Sequence, residues 1–115
     1  MKLINLTPHA ITVVVGEKSL TIPPEPTPAR CNTWLEEADR IDVDGMLVTV
    51  YKYTFGEVTG LPPKQKGVRY IVSRIVAEKS GRDDLLVPEF SIRDKEGRII
   101  GCKGFSFVWK GENDG

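Results

Sequence analysis

The chain has 115 residues, 40% hydrophobic and 28% charged, with sixteen basic residues against sixteen acidic ones and a single histidine. That length suits one domain able to fold without a metal or a disulfide, and the charge balance removes the general basic footprint of a nucleic-acid binder. No apolar run approaches the length of a membrane span, and a start with one lysine and a polar Asn5 does not read as a signal peptide.

Lys2 to Asn5 and Ile11 to Val15 are rich in aliphatic and β-branched residues and read as strands. Between them, Pro8 fixes its own φ and pushes Thr7 towards an extended conformation, so Leu6-Thr7-Pro8-His9-Ala10 reads as a stiff turn. Gly16-Glu17-Lys18-Ser19 returns the chain into Leu20-Thr21-Ile22, a hairpin signal. Pro23, Pro24, Pro26 and Pro28 then make an extended segment that cannot donate to the middle of a sheet. Trp34 to Ile41 fits either a short helix or a strand with a charged outer face. After the turn Asp42-Val43-Asp44-Gly45, the alternation of Met46 to Tyr53 puts Leu47, Thr49, Tyr51 and Tyr53 on one face and Met46, Val48 and Val50 on the other. Apolar or aromatic on both faces, this segment is expected to be a central strand, and Val48→Asp to cost several kcal/mol.

Gly56 to Gly67 reads as a loop, and Tyr70-Ile71-Val72 as a strand. From Ser73 the spacing predicts a short helix stopped at Ser80-Gly81. Arg82 to Pro88 reads as a connector. Phe90 to Arg93 and Arg98 to Gly101 flank the turn Asp94-Lys95-Glu96-Gly97 as a second hairpin. Phe105 to Trp109 reads as a last strand, and residues 110–115 as a frayed tail. The whole is expected to be a single mainly-β domain over residues 1–115, a small barrel or sandwich of about seven strands with one short helix.

The chain has no phosphate-cradling glycine loop, no dinucleotide fingerprint, no H-E-x-x-H and no G-x-S-x-G. Cys31 and Cys102 lie far apart and, with one histidine, do not make a zinc set; both are expected to be reduced and unpaired. Asp42-x-Asp44-Gly45 begins like part of a calcium loop, but Arg40 and Tyr51 stand where its first and closing ligands belong. A triad of Ser73, His9 and Asp83 would be an arbitrary choice. Hence no catalytic residue, metal or cofactor is expected.

Two clusters remain. His9 either closes the turn after Pro8 or stands as a donor or cation at the mouth of a pocket. Tyr70, Ser73, Arg74 and Arg82, with Asp83 beside them, form either a solvated helix with an ordinary arginine–aspartate pair or an anion site, since two guanidinium groups near a helix start suit phosphate. The turn Thr7-Pro8-His9 is expected to lie close to Tyr70 to Arg74, making one shallow positive site. Trp34, Tyr51, Tyr53 and Trp109 read as core or interface aromatics.

Four stretches carry a likeness: Ile4-Asn5-Leu6-Thr7-Pro8-His9-Ala10-Ile11; Tyr70-Ile71-Val72-Ser73 with Val76-Ala77; Arg82-Asp83-Asp84-Leu85-Leu86-Val87-Pro88; and Gly97-Arg98-Ile99-Ile100-Gly101-Cys102. In them the chain resembles a group of small uncharacterised phage, prophage and bacterial proteins. The resemblance spans most of the chain, implies a phage-associated setting, and places His9, Arg74 and the Arg82-Asp83 pair within recurring motifs. The expectation is a non-enzymatic, cytoplasmic binding protein that sequesters a small anionic ligand, such as a nucleotide, or meets a host protein, to counter host defence. An interaction or virion-assembly module, with a homo-oligomer left open, is the second reading, and a nucleotide-acting enzyme the third.

Overall fold

A computed structural model describes residues 1–111. In chain order the elements are β1 (Lys2–Asn5), β2 (Ile11–Val15), β3 (Lys18–Ile22), β4 (Arg30–Val43), β5 (Met46–Thr59), β6 (Val68–Ile71), α1 (Arg74–Ser80), β7 (Leu85–Arg93) and β8 (Ile99–Ser106). The mainly-β expectation with one short helix holds, with eight strands among the described residues. Six of them form one sheet in the order β1-β6-β7-β8-β2-β3, while β4 and β5 form a separate two-stranded sheet.

The six-stranded sheet curls into a half-barrel, and its two edge strands approach at one end. Asn5, the last residue of β1, bridges Pro24, just beyond β3, and its carbonyl accepts from the Glu25 N–H at 2.9 Å. Leu6, Ala29, Tyr70, Val72, Val76, Ala77, Leu85 and Val87 form the core, on the face the helix covers. The β6–α1–β7 unit supplies most of it, because β6 and β7 are parallel and the helix turns Val76 and Ala77 inward.

The helix is delimited as its sequence predicts. The Ser73 hydroxyl accepts from the Val76 N–H at 3.3 Å, and Gly81, at φ 68°, closes the other end by donating to the Ala77 carbonyl. Ser73→Ala is therefore expected to cost about 1 kcal/mol, read as a lower denaturant midpoint at unchanged slope; no change would deny the cap its role.

Of the two alternatives for Trp34 to Ile41, the strand with a charged outer face holds throughout. Other expectations are corrected. The first hairpin turns on Gly16-Glu17 alone, since Val15 pairs with Lys18. Residues 85–88 are not a connector: Leu85, Leu86 and Val87 are buried at the start of β7. A parallel strand buried on both faces reads as a continuous apolar run, and this run is too short to stand out. The last strand ends at Ser106, so Phe107 to Trp109 lie beyond it. Of the expected frayed tail, residues 112–115 lie outside the described residues.

The largest correction concerns Met46 to Tyr53. Its alternation is as expected, but it lies in β5, which among the described residues pairs with β4 alone. Glu36, Glu37, Asp39, Arg40 and Asp42 crowd β4, and such a strand cannot enter a core. The two strands, 14 residues each, make an antiparallel arm spanning about 45 Å, turned at its tip by Asp44 (φ 53°) and Gly45 (φ 85°). Val48 is only half-buried, so the penalty expected of Val48→Asp no longer follows from the chain's own core.

Candidate functional site

Buried Asn5, rather than His9, organises the Asn5-to-His9 motif. Its Nδ2 donates to the carbonyls of His9 at 2.7 Å and Ile22 at 3.0 Å. Its Oδ1 accepts from the Thr7 N–H at 2.9 Å. The Thr7 hydroxyl proton is shared between Asn5 Oδ1 at 2.7 Å and the His9 carbonyl at 2.9 Å. One amide thus holds the turn with all its donors and acceptors used, and joins the end of β1 to the end of β3. His9 is exposed; its backbone carbonyl, not its ring, carries the contacts that hold the turn.

The turn does start beside β6. Asn5 is in register with Ile71, and the Leu6 N–H donates to the Ile71 carbonyl at 2.8 Å. Main chain makes this junction: among the described residues no hydrogen bond or ion pair joins His9 to Arg74 or Arg82.

Each proposed anion ligand has a partner of its own. Arg82 grips Asp84 with both arms of its guanidinium, at 2.9 and 2.6 Å, and donates to the Pro62 carbonyl at 2.8 Å. It also stacks 5.9 Å from the centre of the Tyr70 ring. Tyr70 is buried, and its hydroxyl donates to the Pro63 carbonyl at 3.2 Å. Together Arg82 and Tyr70 pin the loop before β6. Asp84 is 5% exposed, and the hydrogen bonds from Arg82 hold its carboxyl below the usual range against the opposing effect of burial.

Arg74 is exposed and donates to Glu89 at 2.6 Å. The Ser106 hydroxyl donates to the same Glu89 oxygen at 2.6 Å, and these bonds, Ser106 foremost, lower the Glu89 carboxyl. Asp83 pairs with Lys64 at 2.5 Å, which lowers its carboxyl too. Ser73 caps the helix. The structure therefore brings Tyr70 to Arg82 and Ser73 to the helix start, and commits each arginine to a carboxylate. Of the two aspartate partners weighed for Arg82, the structure selects Asp84; sequence reasoning missed Asn5 and Glu89. The signal for Asn5 was an amide between an aliphatic strand and Thr-Pro, a position that favours side-chain-to-backbone bonding.

Both cysteines are free, as expected. Cys102 is buried and lines a cleft of about 210 Å³ with Ile11, Thr12, Ser91 and Ile100. Burial pushes its thiol up, which suits a packed residue rather than a nucleophile. A second, apolar cleft of about 330 Å³ opens between the two edges of the half-barrel, where Leu3 of β1, Val13 and Val15 of β2, Leu20 of β3 and Phe105 of β8 meet beside Lys18. Among the described residues no three histidine, cysteine or acidic side chains gather to hold a metal ion, and no helix is long and apolar enough to cross a membrane.

The arm is the other distinctive surface. Register places Leu35 opposite Tyr53 and Glu37 opposite Tyr51 on one face, and Ile41 opposite Val48 and Val43 opposite Met46 on the other. Among the described residues, ten of the eighteen exposed large apolar ones lie between Trp34 and Phe55. Phe55 packs edge-on against Tyr53 and lies under Lys79 of α1, at the root of the arm. No protein-family model matches the chain, no curated protein is similar enough to count as a relative, and no solved structure matches it.

Proposed function

We propose that this chain is a protein-interaction or assembly module whose binding element is the β4–β5 arm. The observation that carries the reading is the arm itself: a two-stranded ribbon, apolar on both faces, with no fully buried residue along it. A lone ribbon is marginal in water, and an apolar surface of this extent marks a binding surface. The phage-associated setting, with a virion or tail accessory role, rests on the motif resemblance alone, and the cytoplasmic one on the few, unpaired cysteines. Sequestration of an anionic nucleotide is the weaker reading, because Arg74 and Arg82 would first have to leave Glu89 and Asp84.

The test is a melting-temperature screen of the full chain against mono-, di- and cyclic nucleotides, beside photo-cross-linking from a reactive side chain placed at Tyr51. A ligand at a hundred times its Kd adds about 2.7 kcal/mol, a shift of several degrees or more. The expected result is no nucleotide shift and protein adducts from position 51. A shift abolished by Arg74→Ala would overturn the proposal in favour of the anion site, and the absence of any adduct would overturn it outright.

A further inference from the structure

The Cα radius of gyration is 17.9 Å, where a compact chain of this length has about 13 Å. The accessible surface is 8599 Å², against about 6,300 Å² for a monomer of this mass. The excess, about 2,300 Å² per chain, is what an arm standing clear of its body adds. If two chains covered that excess, about 4,600 Å² would be buried in total, within the range of obligate homodimers.

Charge identifies the surface that covers the arm. Residues 30–59 carry six acidic and three basic side chains, a net −3, so the rest of the neutral chain carries +3. Arm against arm would set like charges together; arm against body sets opposite ones together. On the body, the mouth of the half-barrel is an apolar cleft with Lys18 at its side and Leu20 exposed. One face of the arm offers the matching chemistry, Leu47, Tyr51 and Tyr53 beside Glu37 and Asp42.

We infer that a second copy of this chain covers the arm, each acidic, apolar β4–β5 arm lying in the half-barrel mouth of the other copy. The inference rests on the arm being the interacting element and adds the identity of its partner and the surface that receives it. A two-fold pair in which each arm meets the other's mouth is self-complementary.

Sedimentation of the full chain at micromolar concentration tests it. The parent is expected at twice the chain mass. Leu47→Lys/Tyr51→Lys in the arm and Leu20→Glu in the mouth each replace exposed side chains of the isolated chain, so both variants should keep the parent's circular dichroism. Each is expected to raise the dissociation constant about 100-fold or more. A pair weakened by the arm variant but not by Leu20→Glu overturns the arm-in-mouth contact. A monomeric parent overturns the inference; adducts between the arm and a different protein would then leave the interaction module standing, and no adducts would remove both.

Discussion

Asn5→Ala is expected to lower the unfolding free energy by about 3 kcal/mol, among the largest losses any single change makes here. The amide serves four polar groups, two of them the carbonyls of His9 and Ile22. A buried group left without its partner costs about 1–3 kcal/mol, and water can reach the Thr7 and His9 groups more easily than that of buried Ile22. Asn5→Asp separates packing from hydrogen bonding. It keeps the shape and an acceptor for Thr7, but turns a carboxylate oxygen towards two carbonyls. The folded-state pKa of that aspartate should be raised, so the variant gains stability as pH falls through this raised value and loses it as pH rises. Urea titrations of both variants check this; a loss under about 0.5 kcal/mol for the alanine variant would mean that Asn5 does not hold the sheet edges together.

Arg82→Ala is expected to cost about 3 kcal/mol, because it leaves buried Asp84 without its cation and releases the Pro62 carbonyl. Replacing both partners, Arg82→Leu with Asp84→Leu, should recover much of that loss, since removing a buried pair together is often neutral. The same pair makes a pH prediction. The Asp84 carboxyl is held below its ordinary value in the folded state by Arg82, so its contribution is full above the unfolded value of about 3.9 and is lost as pH falls through the folded one. The parent should therefore lose stability on acidification below about pH 4 in part through Asp84, and the double-leucine variant should lose less. Equal acid sensitivity in the two proteins would remove Asp84 from the account.

Local chemistry was legible in the sequence wherever it acts alone. The cap at Ser73, the stop at Gly81, the hairpins around Gly16-Glu17 and Asp94 to Gly97, and the mainly-β class all follow from residue types at short spacing. What sequence could not supply was what each face meets. Met46 to Tyr53 is apolar on both sides, and alternation cannot say whether the covering surface belongs to the same molecule. Likewise Arg74 looked like a free cation because Glu89, fifteen positions on, was not weighed against it; for Arg82 a pair with Asp83 or Asp84 stood beside the anion site, and a string of letters does not say which of them a guanidinium meets. The motif around His9 was read as a possession of its histidine, whereas an amide four positions earlier holds it.

The threading of the sheet has a consequence for how the chain reaches this state. β1 pairs with β6 and β2 with β8, so strands made earlier at the ribosome are joined to strands made well after them. The amino-terminal hairpin must wait, with its edges unsatisfied, until Cys102 arrives opposite Val13. The β4–β5 ribbon needs only its own neighbours and can close in microseconds. Native pairings between distant parts of a chain impose a large loop-closure cost before they return any stability, and such topologies fold in milliseconds to seconds. During that interval the early-formed ribbon already displays its apolar faces, before the half-barrel mouth that would receive one exists. An assembly of the proposed kind would therefore follow the synthesis of β8, and a nascent chain stalled before β8 is the species most exposed to aggregation.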